Sequence, residues 1–263
     1  MKYVLITGAY GGMGRAAALA LRDAGYTVFA LDIKAEEAEE GIIPITASVT
    51  DPQSLNNALI KVKETTDELY AILHFAGIYS LDSLIEITEE RWRRIFEINL
   101  FGAYRVNKTF LPLLKRGSRV VIATSELAPL DPLPFTGIYA ITKAALDKYA
   151  YSLRMELQLL GIRVSVLRPG AVATSMLGVS TSELDAFCER TELYSFGAGK
   201  FKDIVMRVEA RKIPPERVGK LALKIVNKRK PRHVYKINRN PLLLLLNALP
   251  DSWQTAIIGK ILK

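Results

Sequence analysis

The chain has 263 residues, 49% of them hydrophobic and 24% charged, with a formal net charge of +9. That length and balance suit one folded domain with a sizeable core and exclude a disordered or fibrous polypeptide. The single cysteine, Cys188, rules out an internal disulfide, and with only two histidines beside it no Cys/His metal site is expected.

Apolar runs separated by helical stretches predict strands near residues 2–7, 27–32, 42–47, 70–75, 119–124, 163–168 and 233–237. This alternation predicts an α/β fold: one doubly wound parallel sheet of about seven strands, helices on both faces and ligands at the strands' carboxyl ends. No repeat, low-complexity tract or linker divides residues 1–263, so a single domain is expected. The first strand runs into Thr7-Gly8-Ala9-Tyr10-Gly11-Gly12-Met13-Gly14 and then an Ala/Leu-rich helix. Glycines there let the backbone approach a pyrophosphate, and the amides of a helix N-terminus attract its charge. The spacing differs from Gly-x-Gly-x-x-Gly. The second strand ends in Asp32, 18 residues past Gly14, where a carboxylate can accept hydrogen bonds from the adenosine ribose and repel a 2′-phosphate. Lys34 softens that repulsion, and NAD is expected over NADP.

The third strand leads to Ser48 and Val49, and the fourth ends His74-Phe75-Ala76-Gly77. His74, inside a strand, reads as a hydrogen-bonded structural residue. The fifth strand ends with two hydroxyls, of which Ser125 is the candidate and Thr124 its competitor. Tyr139 and Lys143 then lie four residues apart in a helical run, which puts both side chains on one face. A phenol with a pKa of about 10 is a poor base near neutrality unless a cation stabilises the tyrosinate, and Lys143 is placed to lower it.

Residues 175–212 are expected to form a mobile loop and helices over a pocket made apolar by Met176, Leu177, Val179, Leu184, Phe187, Leu193, Tyr194, Phe196 and Phe201, with Cys188 as an ordinary thiol in a loop. Positive charge concentrates from Lys200 onward: sixteen Lys and Arg against four acids there, a surplus of twelve, which leaves −3 on the first 199 residues. Its densest run is Lys228-Arg229-Lys230-Pro231-Arg232. No aromatics interleave with it and no nucleic-acid motif accompanies it, so anionic lipid or an acidic substrate stay open as partners and nucleic acid does not. The tail over 241–263 begins with a Leu242–Leu246 run too short to span a bilayer. Asp251 and Gln254 then form a capping-box-like start to a helix with Trp253, Ala256, Ile257 and Ile261 on one face. Packing on the same chain or a second subunit, contact with a membrane surface, or a lid over a greasy substrate would each cover such a surface.

Five stretches in this order resemble the short-chain dehydrogenase/reductase family over Met1 to about Asn240: the Gly8/Gly12/Gly14 turn, Asn99 in Ile98-Asn99-Leu100-Phe101-Gly102, Ser125, the Tyr139-x-x-x-Lys143 pair and Arg168-Pro169-Gly170-Ala171-Val172-Ala173-Thr174. The resemblance implies a nicotinamide cofactor held by Gly8, Tyr10, Gly12, Met13, Gly14 and Asp32 on one side. Ser48, Val49, Ala76 and Gly77, then Pro169, Gly170, Val172 and Thr174, would complete that site with Tyr139 and Lys143. It implies that Tyr139 moves the proton, Ser125 hydrogen-bonds the substrate oxygen, Lys143 binds the nicotinamide ribose and Asn99 holds a water linking Lys143 to solvent. Two departures stand out: His74-Phe75 where the family shows Asn-Asn, and Ser48 where an Asp usually meets adenine.

The likeness is strongest to the hydroxysteroid and retinol dehydrogenase branches, which implies a bulky hydrophobic alcohol or ketone such as a steroid, bile acid or retinoid. A 3-oxoacyl thioester reductase is the alternative enzyme, with Asp32 against it because such reductases usually use NADPH. A catalytically silent dinucleotide sensor or scaffold is the non-enzymatic one. With a nucleotide-binding strand at its start no secretory signal is expected, and the lone cysteine suits a reducing compartment, so a cytoplasmic location is expected; a homo-oligomer is expected too, with peripheral membrane contact through the basic, Leu-rich tail left open.

Overall fold

The computed structural model describes residues 2–34, 36–209 and 211–263, with the side chains of 175–181 and 208–209 outside the description. Strands β1 (Lys2–Thr7), β2 (Tyr26–Asp32), β3 (Ile42–Thr46), β4 (Leu69–His74), β5 (Leu114–Ala123), β6 (Arg163–Pro169) and β7 (Val234–Ile237) form one sheet in the order β3-β2-β1-β4-β5-β6-β7. Every pairing is parallel. The helices are α1 (Gly12–Asp23), α2 (Pro52–Lys63), α3 (Glu89–Phe96), α4 (Gly102–Phe110), α5 (Gly137–Leu157), α6 (Ser175–Arg190), α7 (Ser195–Glu209), α8 (Pro215–Asn227), α9 (Pro241–Leu246) and α10 (Asp251–Leu262).

The strands read as continuous apolar runs because both faces of the sheet are covered. Leu5, Phe29, Ile72 and Val120 pack with Leu55 of α2, Val106 of α4 and Leu146 of α5. Val4, Val28, Leu73 and Val121 pack with Ala17 of α1 and Val218 and Ala222 of α8. Strand order reverses direction between β1 and β4, so the crevice for a ligand opens above their carboxyl ends. β5 begins five residues before the expected 119. Its first segment, with exposed Lys115 and Arg116 and Gly117 at φ +95°, carries no apolar alternation to mark it.

The tail folds back over the carboxyl ends. The Asn240 side chain caps α9 by accepting from Leu242 N–H at 2.9 Å. Asp251 does not cap α10: Pro250 occupies that position, and Gln254 turns inward to donate to Asp131 Oδ2 and Leu249 O at 3.2 and 3.0 Å. The expected capping box is therefore absent, because Gln254 is better satisfied in the interior. The basic run Lys228–Arg232 lies at the opposite end of the sheet. Arg119, at the sheet's amino-terminal side, donates to Lys228 O at 3.2 Å, and Ser165 donates to Arg232 O at 2.8 Å. Leucine tail and basic run are thus two separate surfaces. Among the described residues no helix is long and apolar enough to cross a membrane.

Candidate active site

The turn after β1 is tight enough to exclude side chains. Gly8 has φ +66°, and a Cβ there would lie 2.5 Å from Ala76 N, so only glycine lets β1 and the end of β4 meet this closely. No side chain caps the first turn of α1, which leaves its amides to the cleft. That cleft is lined by Gly8, Tyr10, Gly12, Met13, Gly14, Asp32, Ser48, Val49, Ala76, Gly77 and Thr174. Asp32 is held in place by Tyr10 N–H and Ile33 N–H, which donate to Oδ2 and Oδ1 at 3.0 and 2.8 Å. Lys34 lines the cleft too, whereas Arg15 is committed to an ion pair with Glu39. Ser48 bonds within its own loop: its Oγ accepts from Thr50 N–H at 3.2 Å. An uncapped helix start behind a glycine-rich turn, with a carboxylate at the far end, fits an elongated dinucleotide. Sequence reasoning missed Arg91, Arg94 and Ile98 in this cleft. They sit on or just after a helix whose register against the sheet no short motif marks.

Pro169, Gly170 and Val172 line a second cavity of about 550 Å³, which joins the cleft at Met13, Phe75, Gly77, Tyr79 and Thr174. Ser125, Tyr139 and Lys143 line its floor. Ser125, just past β5, accepts from Leu127 N–H at 3.1 Å and is hydrogen-bonded to Tyr139. Thr124 also lines the cavity, but its hydroxyl is engaged elsewhere, donating to Asp147 at 3.3 Å beside the bidentate Arg168–Asp147 pair at 2.9 and 2.5 Å. The Thr124 hydroxyl thus belongs to the scaffold, while that of Ser125 meets Tyr139.

Tyr139 and Lys143 are one turn apart in α5, both buried, with Nζ 5.6 Å from the phenol ring centre. The edge of Tyr79 packs on Tyr139 at 4.8 Å between centroids. Burial dominates both groups. It pushes the Tyr139 phenol up to about 12 against the lowering effect of the Ser125 bond, and it brings Lys143 down to about 8. The direction is opposite to the expected lowering of the phenol: desolvation of the buried tyrosinate is the largest effect on Tyr139, and the bond to Ser125 is what opposes it.

Asn99 lies in a π-helical turn, Glu97–Phe101, between α3 and α4. Its Oδ1 accepts from Ile78 N–H at 2.8 Å, and its Nδ2 donates to Ile78 O and Thr142 Oγ1 at 3.0 and 3.1 Å. It clamps the loop following Gly77 to α5, beside Lys143: a Cβ on Gly77 would lie 3.1 Å from Asn99 Oδ1 and 3.3 Å from Lys143 Nζ. His74 is buried, with Nε2 2.9 Å from Asn107 Oδ1, and burial lowers its pKa to about 4. It is a neutral structural group.

The cavity wall differs from expectation. Leu184, Phe187 and Phe201 form a small core with Leu81 and Ala198, Tyr194 packs on Phe135, and Leu193 and Phe196 are exposed. Of the expected apolar set, Phe201 lines the cavity. The side chains of Met176, Leu177 and Val179 lie outside the described residues, and Cys188 belongs to α6 rather than a loop. Ile204 and Val205 of α7 join Phe201, and the rest of the far wall comes from the tail: Leu243 and Leu246 of α9, Leu249, and Ile258 and Leu262 of α10. Two tethers hold it. Asn240 N–H donates to Glu126 Oε2 at 2.7 Å, and Asp131 accepts from Asn247 Nδ2 at 2.6 Å as well as from Gln254. Glu126, one residue past Ser125, also lines the cavity, and burial raises its pKa.

A family model described as short chain dehydrogenase matches residues 2–185. Estradiol 17-beta-dehydrogenase 2 of Mus musculus is 34% identical over 189 residues, 67% of this chain and 50% of that protein, so the chain spans about half the length of this relative. 3-Ketodihydrosphingosine reductase of Bacteroides thetaiotaomicron is 25% identical over 251 residues, 95% of this chain and 92% of that protein. A short-chain dehydrogenase structure from Streptomyces avermitilis superposes with a TM-score of 0.76 at 22% identity, covering 99% of this chain and 93% of that one, which shows a shared fold.

Proposed function

The chain belongs to the short chain dehydrogenase family, oxidoreductases that work with a nicotinamide dinucleotide, and from that premise we propose that it moves a hydride to or from a bulky hydrophobic ketone or secondary alcohol. The nicotinamide supplies or accepts the hydride. Tyr139 gives its phenolic proton to the carbonyl oxygen in reduction and recovers it in oxidation. A phenol whose pKa is about 12 is protonated at neutrality, the form that reduction needs. Ser125 hydrogen-bonds the same oxygen as charge develops on it. Lys143 binds the nicotinamide ribose, and Asn99 holds the backbone around Gly77 and Ile78 against α5. Asp32 binds the adenosine ribose and disfavours a 2′-phosphate, so NAD is the preferred cofactor.

The observation that carries the substrate class is the cavity beside Ser125 and Tyr139, whose far wall is leucine and isoleucine from α9 and α10. A steroid, bile acid or retinoid-like compound fits this reading, supported by the resemblance to estradiol 17-beta-dehydrogenase 2. A long-chain keto lipid is the second reading, favoured by the Leu-rich wall and by a relative, the Bacteroides reductase, whose alignment extends over 95% of the chain. A panel of steroid, retinoid, long-chain and small ketones assayed with NADH and NADPH tests it. Bulky ketones should exceed small ones in kcat/KM by about tenfold or more, since one buried side-chain contact already contributes about 1.5–3 kcal/mol. Preference for a small polar carbonyl would overturn the proposal.

A further inference from the structure

Four side chains of the tail both line the cavity and stand in solvent: Leu242 (63% exposed), Leu245 (66%), Ile257 (38%) and Ile261 (49%). They form the rim of its mouth. An interior wall accounts for the inner face of α10, where Gln254 and Ile258 turn inward, but not for an aliphatic rim, because a mouth opening to water needs no apolar edge. Trp253, 63% exposed, continues the Ile257/Ile261 stripe one turn further along the same flank. Lys260 projects from the same side of the helix, and Arg239 and Lys263, also exposed, bracket the tail. Between residues 239 and 263 the only acid is Asp251. Apolar side chains with a tryptophan, ringed by cations, are the composition of a surface that rests in a lipid headgroup layer.

We propose that the outer face of α9 and α10 docks on an anionic lipid leaflet and that the substrate passes from that leaflet through the aliphatic mouth into the cavity. The entry route rests on the proposed hydrophobic substrate; the docking does not. A second copy of the chain fits this face less well, because self-pairing would bring Arg239, Lys260 and Lys263 against their own kind. The run Lys228–Arg232 takes no part, being at the other end of the sheet.

Co-sedimentation of the full chain with phosphatidylcholine vesicles, with and without phosphatidylglycerol, tests the docking in the absence of substrate. Binding is expected to the anionic vesicles, to weaken with salt, and to shift Trp253 emission to the blue. Lys260→Glu with Lys263→Glu should weaken it about tenfold or more, each cation near a charged leaflet contributing about fivefold, and Trp253→Ser should weaken it further. Retained NADH binding in these variants shows that they are folded. No vesicle binding, binding indifferent to all three changes, or a particle that halves in mass by light scattering in Trp253→Ser would overturn the docking. Vesicle binding by a protein that reduces small ketones alone would uphold the docking and overturn the entry route. Bulky-ketone reduction in detergent without vesicle binding would uphold the function and overturn the docking.

Discussion

The floor and the far wall of one cavity are built in opposite ways. The floor is polar: Ser125 just past β5 and Tyr139 and Lys143 on α5 are buried, beside an Asn99 whose amide oxygen and nitrogen are both hydrogen-bonded and above an Arg168–Asp147 pair. The far wall is the leucine and isoleucine side chains that two short helices, α9 and α10, turn to the cavity, fastened at polar points to Glu126 and Asp131. Groups that handle a proton must keep one geometry, so they sit on sheet and long helix. A surface that selects for size and greasiness needs only area, and it can be made from a tail. In the proposed function the floor carries the reaction and the wall sets the substrate range.

Changing Tyr139 to Phe breaks the floor most severely. Turnover should fall by about 10² to 10⁴-fold, the usual scale of a lost general acid, while NADH titration stays within a few-fold of the parent because the ring remains packed on Tyr79. Activity within a few-fold of the parent would remove Tyr139 from the chemistry.

Lys143→Met separates chemistry from stability. The folded-state pKa of Lys143 is about 8 against an ordinary 10.5, so between those values the unfolded chain binds more protons and stability rises with pH. Below pH 8 the buried ammonium costs the fold up to about 3 kcal/mol, since each tenfold loss of proton affinity on folding is worth about 1.4 kcal/mol. The variant should therefore be inactive yet melt higher than the parent at pH 7, with the gain shrinking to nothing by about pH 10.5. An unchanged or lower Tm at pH 7 would show that the ammonium is well solvated or paired.

Asp32→Ala probes the cleft beside the floor. Losing an acceptor and a repulsive charge should narrow or reverse the NAD-over-NADP ratio by about tenfold, which is about 1.4 kcal/mol and within the range of one charged hydrogen bond. Kinetics with both cofactors decide it. NADP preference in the parent would mean that Lys34 outweighs Asp32. On the wall, Asp131→Ala should have the smallest effect, raising KM for bulky ketones by about fivefold with kcat unchanged, since it removes one exposed and one partly buried hydrogen bond worth about half a kcal/mol each.

The floor was legible in the sequence and the wall was not. Parallel strands covered on both faces leave apolar runs, and a glycine-rich turn or a Tyr four residues before a Lys is a local pattern. The family motif even separated Ser125 from Thr124. The wall depends on where a tail lands. Leu242–Leu246 and Ile257/Ile261 announced a surface to be covered, but whether by a subunit, a membrane or this chain's own cavity was a matter of tertiary contact. The aromatic residues around Phe187 looked like pocket lining and became a separate small core, because helical spacing in α6 and α7 turns them toward each other. Asn99 was found by its motif, although the π-helical turn that holds it has no sequence signature, and the basic run and the leucines, near in sequence, lie at opposite ends of the sheet.

The division between floor and wall is tested most directly by the ratio of kcat/KM for a bulky ketone to that for a small one, measured in the parent and in Leu243→Ser combined with Leu246→Ser. The account predicts that this ratio falls about tenfold or more, two partly buried leucines each losing a share of the 1.5–3 kcal/mol typical of full burial, while kcat for the small ketone stays within a few-fold. An unchanged ratio would contradict it and place substrate selection somewhere other than the tail.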